Sequence, residues 1–338
     1  MDALPDIQLL RPKSVNEVLA ARAAHPKSRL LGGGTDLVVN IRRGIVAPPV
    51  LIDMNDVSEL RAIKADERGI ELGAAATLSE VARHAGVLQH YPVVAQAAAI
   101  VAGPTQRNMG TVGGNLCLDT RCIFYNQSEW WRSANNHCLK TTGDICHVAP
   151  KSRGVCFATF SGDLAPALLT LGAEVDLAGP QGRRTVPLNS MYIGFARQDV
   201  PVTETMGDGK YFLSLRPDEF VTAVRAKNAS GLRSAYDKIR IRRSIEYPVA
   251  GVAVALRRDG RDLADLRVAF TGTNPRPVLL EGTAELCGRP LTDDVLKKLD
   301  DLVRDQIMAM KTTFTPGHYR RRVAGVLARR LLVRLFED

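Results

Sequence analysis

The stretch GPTQRNMGTVGGN, residues 103–115, decides how this chain folds. Its last six residues, GTVGGN, place glycines where a backbone can turn tightly and approach a ligand closely. The chain then enters a cysteine-rich segment and leaves it through SGDLAPALL, residues 161–169. Glycine loops of this kind bind phosphate groups, and clustered thiols bind metals. The combination predicts a redox protein.

The composition is that of an ordinary globular protein, with 338 residues of which 45% are hydrophobic and 24% are charged. This length predicts two or three domains. The sequence opens without a basic segment and apolar run, and its longest apolar run is too short for a bilayer, so we expect no secretory signal and no membrane. The expected location is the cytoplasm, where clustered cysteines are more often metal ligands than disulfides.

The formal net charge of +9 raises the question of an acidic partner. Lysine and arginine are spread along the whole length, and only 5% of residues are aromatic, so a surface for stacking bases has little to build on. We therefore expect no nucleic-acid binding. A basic surface also speeds association with an acidic protein, which is the partner that this charge favours.

A second glycine loop lies in LLGGGTDL, residues 30–37. The order is strand, three glycines, a hydroxyl residue and an apolar helix start, a geometry in which backbone N–H groups can reach phosphate oxygens. It is neither a Walker A sequence nor GxGxxG, and the alternative is a tight turn before a packed helix. Together with GTVGGN it predicts that two glycine turns hold one dinucleotide from both sides.

Two further stretches allow a functional and a structural interpretation. The small residues of GAAAT, residues 73–77, leave room for a flat ligand or for a close contact between a helix and a strand. The C-terminal helix is amphipathic, which is typical of a surface helix. Its arginines would either bind a partner or form a solvated face on a packed helix, and the second interpretation is favoured. These arginines are Arg320, Arg321, Arg322, Arg329, Arg330 and Arg334.

The two glycine loops and the following D-x-x-P-A-L resemble the FAD-binding subunits of the molybdenum hydroxylase (xanthine dehydrogenase) family. The resemblance extends to YDKIRIRR, VAFTGTNPRPV and YRRRVAGVLARRLL near the C-terminus. It implies an α+β fold with a two-subdomain FAD-binding domain of the PCMH, or vanillyl-alcohol-oxidase-like, type over residues 1–220. A C-terminal α+β domain of the CO dehydrogenase flavoprotein type, with a small antiparallel sheet, would cover residues 221–338.

The resemblance also implies a set of FAD contacts. The backbone of residues 31–36 would surround the pyrophosphate, Asp163 would bind the adenosine ribose, and Lys238 would stabilise reduced flavin from its pyrimidine edge. No catalytic residue is expected in this chain. The complete set of implied FAD contacts is Leu30, Leu31, Gly32, Gly33, Gly34, Thr35, Asp36, Leu37, Ala75, Ala102, Gly103, Thr111, Gly114, Asn115, Asp163, Phe220, Val221 and Lys238.

The chain departs from the family pattern between GGN and D-x-x-P-A-L. Asp163 follows Asn115 by 48 positions, where most members have a short link, so residues 119–160 or thereabouts form an insertion. It contains four cysteines spaced C-x15-C-x7-C-x9-C. Three interpretations are open: a [4Fe–4S] cluster, a structural zinc ion, or free buried cysteines. The metal ligands expected are Cys122, Cys138, Cys146 and Cys156, whereas Cys117 is expected to pack and His137 and His147 to be loop residues.

Because its flavin-binding sequence contains an inserted cysteine loop, this chain resembles one group within the family. That group is the flavin subunits of reductases that remove a phenolic hydroxyl from an aromatic thioester. That similarity implies FAD and a [4Fe–4S] cluster as cofactors and ferredoxin as the electron donor. It implies as partners a large subunit with the molybdenum cofactor and a small [2Fe–2S] subunit, in a dimer of heterotrimers.

Overall fold

Three β-sheets follow one another in the computed structural model, which describes residues 4–194, 206–227, 230–242 and 245–338. The first sheet is parallel, in the order β1–β3–β2, and consists of β1 (Gln8–Leu10), β2 (Arg29–Leu31) and β3 (Val50–Asp53). The second sheet is antiparallel, in the order β4–β5–β8–β6–β7, and consists of β4 (Ile63–Ala65), β5 (Gly69–Gly73), β6 (Glu174–Gly179), β7 (Gly182–Pro187) and β8 (Phe220–Lys227).

The third sheet is antiparallel, in the order β12–β11–β10–β9, and β13 pairs with β11. Its strands are β9 (Arg233–Ile239), β10 (Ala250–Asp259), β11 (Asp262–Thr271), β12 (Val278–Leu279) and β13 (Arg289–Pro290). The expected α+β class and the small antiparallel C-terminal sheet are confirmed. Because β8 pairs with the second sheet and β9 opens the third, the change of sheet lies after Lys227. The domain division at residue 220 stays a prediction.

Helices connect and cover these sheets. They are α1 (Val15–Ala24), α2 (Leu37–Arg42), α3 (Leu78–Arg83), α4 (Ala85–His90), α5 (Pro92–Ala99), α6 (Pro104–Arg107), α7 (Val112–Leu116), α8 (Glu129–Ala134), α9 (Leu164–Thr170), α10 (Leu188–Met191), α11 (Asp293–Gln306) and α12 (Gly317–Glu337). Short 3₁₀ turns occupy Ser58–Leu60 and Thr283–Leu286. Among the described residues, none of these helices combines the length and apolar character that crossing a bilayer requires.

Each sheet has its own hydrophobic core. A small core lies between α1 and β3 and includes Ala75 and Phe220. The largest core lies under the second sheet, where α5 and α9 also contact the third sheet. The remaining large core lies between the third sheet and α11 and α12. The glycine loops are therefore placed where the first two of these units meet.

The inserted segment has little regular structure and little core. It contains α8, and its two ends pair through backbone hydrogen bonds between Arg121 and Thr159 of 2.8 and 2.9 Å. It contains two small apolar clusters, one with Cys146 and the other with Cys122 and Cys138. As expected from the sequence, this segment cannot be held together by burial alone.

The segment is also attached to the C-terminal region. The Thr159 hydroxyl lies 2.8 Å from that of Thr312, and the Ile123 N–H donates to the Thr312 carbonyl at 2.9 Å. The guanidinium of Arg320 in turn donates to the Thr312 hydroxyl at 2.7 Å, to the Met310 carbonyl at 2.8 Å and to the Gly272 carbonyl. Arg320 therefore anchors the loop that supports the insertion.

The prediction that the arginines of α12 form a solvated face is wrong for Arg320. Arg320 is fully buried, and burial lowers the pKa of its guanidinium to about 10. It donates in addition to the Val249 carbonyl at 3.0 Å. Helical spacing alone groups Arg320 with the exposed Arg321, because the pattern carries no information about a loop that folds over the first turn of the helix.

We expect Arg320→Met to lower the stability of the protein strongly, by about 3 kcal/mol or more, because several buried carbonyls lose their donor. The exposed Arg321→Met serves as the control and is expected to lie within about 0.5 kcal/mol of the wild type. The measurement is the apparent urea midpoint of both variants. Equal midpoints for the two would contradict this account of Arg320.

Candidate functional site

The first glycine loop, residues 32–36, connects β2 to α2 and presents unpaired backbone donors. Within the described part of the chain, none of its five N–H groups donates to a protein acceptor. Gly34 has a φ of 70°, a conformation that side chains disfavour. Backbone donors in folded proteins are nearly always paired, so this run is suited to an external acceptor such as the oxygens of a phosphate.

The two glycine loops lie directly against each other. A Cβ atom added to Gly33 would lie 1.8 Å from the Met109 carbonyl oxygen, and one added to Gly32 would lie 2.7 Å from the Thr111 hydroxyl. Neither position has room for a side chain. The glycines are therefore required by the contact between the loops as well as by any ligand.

The segment GAAAT continues this contact. The Gly113 N–H donates to the Ala74 carbonyl at 2.8 Å, and the Val112 N–H to the Ala76 carbonyl at 2.9 Å. A Cβ on Gly113 would lie 3.0 Å from that of Ala74, so the small residues permit a close helix–strand contact. Ala75 itself is buried, and its N–H donates to the Leu60 carbonyl at 2.8 Å. The segment therefore makes the close contact between a helix and a strand that was the structural interpretation of its small residues.

Phe220 and Val221 start β8 and point to opposite faces of the second sheet. Phe220 is buried in the small core with Ala75, whereas Val221 is buried in the largest core. The two were expected to form one apolar contact with the cofactor. The two side chains therefore face different cores, and their expected contact with the cofactor stays a prediction.

The turn at Ala102 and Gly103 opens the second glycine loop. Ala102 has a φ of 42°, and Arg107 donates to its carbonyl at 3.1 Å. Burial and the nearby Arg240 and Arg83 lower the pKa of Arg107, so three cations crowd this turn. Sequence reasoning missed this cationic group, because its members lie in three distant segments. It adds to the suitability of the loops for an anionic ligand.

The two chain segments that flank the insertion meet in space. The Leu164 N–H donates to the Asn115 side-chain carbonyl at 3.0 Å, and a Cβ on Gly162 would lie 2.5 Å from the Asn115 backbone oxygen. The Thr111 hydroxyl accepts from the Gly114 N–H at 3.2 Å. GTVGGN and DLAP therefore form one continuous element, although 48 positions separate Asn115 from Asp163.

Asp163 and Lys238 form a buried ion pair. The Lys238 ammonium lies 3.0 Å from one carboxylate oxygen, and the Tyr236 hydroxyl donates to the other at 2.5 Å. Burial raises the pKa of Asp163, against the opposite effects of Lys238 and Tyr236. Burial and the neighbouring Asp163 carboxylate raise the pKa of Tyr236 well above its ordinary value.

Asp163 was expected to bind the adenosine ribose and Lys238 to lie at the pyrimidine edge of the flavin. The structure places the two side chains 3.0 Å apart in one ion pair. Their roles toward the cofactor stay predictions.

The four cysteines of the insertion line one small cavity, and their expected role as metal ligands stays a prediction. Cys122, Cys138, Cys146 and Cys156 are all buried and line this cavity together with residues that include Phe124, Leu139, Lys140, His147 and Val148. The space between them is about 10 Å³, about one water-sized sphere. Among the described residues, no three or more His, Cys, Asp or Glu side chains are arranged to hold a metal ion.

Burial disfavours the thiolate form of two of these cysteines, Cys122 and Cys156. Burial raises the pKa of Cys122 to about 11 and that of Cys156 further still. A buried thiol ionises only when a metal or another cation compensates the charge. Cys117 lies outside this cavity and packs against the largest core, where burial raises its pKa to about 12. His147 hydrogen-bonds through Nε2 to the His137 carbonyl at 2.6 Å.

The insertion also contacts the first glycine loop. The Arg121 guanidinium lies 3.3 Å from the Asp36 carboxylate, which accepts from the Asn40 amide at 2.7 Å. The guanidinium of Arg132 is buried and donates to the carbonyls of Arg43 and Gly44 just after α2, at 3.2 and 3.0 Å. The cysteine cavity and the glycine loops are therefore fixed relative to each other.

Two family profiles cover almost all of this chain. Residues 5–226 match the FAD binding domain in molybdopterin dehydrogenase. The chain belongs to this family of FAD-binding subunits. Residues 234–335 match the CO dehydrogenase flavoprotein C-terminal domain. The FAD-binding family inferred from the two glycine motifs is thereby confirmed.

Similar curated proteins include members with several substrates. The carbon monoxide dehydrogenase medium chain of Hydrogenophaga pseudoflava is 26% identical, over 97% of this chain and 96% of that protein. The aldehyde oxidoreductase FAD-binding subunit PaoB of Escherichia coli is 28% identical, over 90% and 91%. The xanthine dehydrogenase FAD-binding subunit of Escherichia coli O157:H7 is 22% identical, over 95% and 93%.

Solved structures of the family share the fold. The chain superposes on reconstituted CO dehydrogenase from Oligotropha carboxidovorans with a TM-score of 0.78 at 22% identity, covering 99% of both chains. Quinoline 2-oxidoreductase from Pseudomonas putida gives a TM-score of 0.76 at 19% identity, also over 99% of both chains. The expected two-domain flavoprotein fold is therefore confirmed.

We expect Gly33→Ala to abolish FAD retention, because its Cβ would collide with the Met109 carbonyl and separate the two glycine loops. Gly288→Ala is the matched control: its φ of 73° makes the change strained, yet no atom lies within 4 Å of the added Cβ. The ratio of flavin absorbance to protein absorbance after purification measures the effect. Normal FAD content in Gly33→Ala would refute the loop contact.

We expect Lys238→Met to destabilise the protein by about 3–5 kcal/mol near neutral pH, because Asp163 is left buried without its cation. Without Lys238 the pKa of Asp163 in the folded state rises further. Above the ordinary carboxyl pKa of about 3.9, the folded protein then holds a proton on Asp163 that the unfolded protein has released. The deficit in free energy of unfolding should therefore grow as the pH rises from about 4 to 8. Urea unfolding at several pH values measures it.

The double variant Lys238→Met/Asp163→Asn is the control for this experiment. It removes the carboxylate together with the cation, so most of the lost stability and its pH dependence should return. A deficit in Lys238→Met that is independent of pH would contradict the ion-pair account.

Proposed function

We propose that this chain is the β-type electron-transfer subunit of a 4-hydroxybenzoyl-CoA reductase, carrying FAD and a [4Fe–4S] cluster. The observation that carries the proposal is the convergence of the four inserted cysteines on one cavity, fixed against the flavin-binding loops. Electrons from reduced ferredoxin would enter at the cluster, pass to FAD and leave to a partner [2Fe–2S] centre and molybdenum. The chain itself would hold neither molybdenum nor the aromatic substrate.

The reaction consumes two electrons and two protons. The C–OH bond of 4-hydroxybenzoyl-CoA is broken, a C–H bond forms, and benzoyl-CoA and water are released. Ferredoxin supplies the electrons one at a time, and the flavin supplies the exchange between one-electron and two-electron steps. A one-electron entry port beside the flavin site suits this direction of electron flow.

The residues of the glycine loops would hold the FAD. The five unpaired N–H groups of residues 32–36 would bind the pyrophosphate, and the cations around Arg107 would offset its charge. The Asp163–Lys238 ion pair, together with the Tyr236 hydroxyl that donates to Asp163, would contact one end of the cofactor. The remaining contacts expected from the sequence stay predictions.

The donor chemistry of the cysteine cavity suits a cluster. Four thiols are the ligand set of a [4Fe–4S] centre. The cavity as it stands is about one water in size, so the inserted loops would move apart when the cluster is built.

The subunit partners are inferred from the relatives. Their names call them medium chains or FAD-binding subunits, which implies further chains in each enzyme. We propose a large subunit with the molybdenum cofactor and a small [2Fe–2S] subunit, in a dimer of heterotrimers. The net charge of +9 suits an acidic ferredoxin as the electron donor, in the cytoplasm.

A second candidate function follows from the same comparisons. Relatives of this chain belong to carbon monoxide, xanthine and aldehyde oxidising enzymes. The chain would then be the FAD subunit of a molybdenum hydroxylase or a CO dehydrogenase-like enzyme, with an insertion that is structural and binds zinc or no metal. The small size of the cavity favours this alternative.

Anaerobic purification with iron, zinc and flavin analysis separates the two candidates. The proposed function predicts about four iron atoms for each chain, because the four buried thiols form one ligand set. Cys138→Ser should lose the iron and keep the FAD, because the glycine loops lie outside the insertion. Reduced ferredoxin should then no longer reduce the flavin of this variant.

Cys117→Ser is the matched control, because Cys117 lies beside the insertion but outside the cavity. It should keep both iron and FAD. Zinc or no metal in the wild-type protein would instead establish the structural insertion, and iron loss in Cys117→Ser would show that the ligand set has been misassigned.

A further inference from the structure

A buried cation lines the cysteine cavity. The side chain of Lys140 is only 5% exposed and lies among the four cysteines. Its ammonium also lies over the rings of Tyr125 and Phe212, 5.3 and 5.6 Å from their centroids. Aromatic walls exclude water, and a charge in such surroundings acts over a longer distance than at the surface.

The position of this ammonium is fixed by three acceptors. It donates to an Asp119 carboxylate oxygen at 2.8 Å, to the Gly209 carbonyl at 2.8 Å and to the Thr120 hydroxyl. A lysine ammonium has three N–H donors, and all three are used here. The charge is therefore held at one place rather than swinging into solvent.

The counter-ion of Lys140 is itself held from the flavin side. The second Asp119 oxygen lies 3.8 Å from the Arg121 guanidinium, and that guanidinium lies 3.3 Å from Asp36 in the first glycine loop. Charges alternate along this row of four side chains. It joins the cysteine cavity to the flavin-binding loop, so both sites determine where the lysine sits.

We infer that Lys140 is a positioning residue that raises the reduction potential of the centre bound by the four cysteines. The inference rests on the proposed iron–sulfur site. One-electron reduction by a low-potential donor adds one negative charge to a centre already held by four thiolates. A fixed cation beside it stabilises the reduced form more than the oxidised form, so electron entry becomes more favourable.

The test is a redox titration of the anaerobically purified complex, with the cluster followed by electron paramagnetic resonance and the flavin by its absorbance. Lys140→Met should shift the midpoint potential of the cluster to a more negative value at unchanged iron content. Lys140→Arg should restore a wild-type potential. Lys151→Met is the control, because Lys151 is exposed on the same segment and is absent from the cavity lining.

Asp119→Asn provides an independent arm should Lys140→Met bind less iron. It removes the counter-ion and leaves the ammonium in place, so the potential should move in the positive direction. An unchanged cluster potential in an iron-replete Lys140→Met, or in Asp119→Asn, would overturn the inference while leaving the proposed function intact. A wild-type protein without iron would overturn both, and the metal analysis shows this before any titration.

Discussion

The contact between the two glycine loops is the constraint on which the rest of this structure depends. The Met109 carbonyl occupies the place where a side chain at residue 33 would begin. This contact brings a run of unpaired N–H groups, a crowded group of arginines and the buried Asp163 into one region.

The second feature is the electrostatic attachment of the insertion. A segment with two small apolar clusters cannot be positioned by burial, so charged side chains perform this task. Arg132 reaches the carbonyls after α2, Arg121 reaches Asp36, and Lys140 reaches Asp119. Guanidinium and ammonium groups used in this way also leave positive charge beside four thiols, which links the architecture of the segment to its chemistry.

Local motifs carried most of what could be predicted from the sequence. The glycine loops, the family and the convergence of four cysteines all follow from short patterns whose physical requirements are local. The ion pair between Asp163 and Lys238 was not predicted, because its 3.0 Å contact joins residues 75 positions apart. The burial of Arg320 and the arginines around Arg107 depend equally on long-range packing. Spacing along a helix or a motif contains no record of such contacts.

The joined ends of the insertion have a consequence for how such a subunit can change over time. A single hydrogen bond of 3.0 Å spans the two segments that residues 119–160 separate in sequence. The flavin-binding element closes on itself at that point, whether forty residues or a short link lie between. A segment of this length can therefore be accommodated there as a unit, without rebuilding the elements on either side.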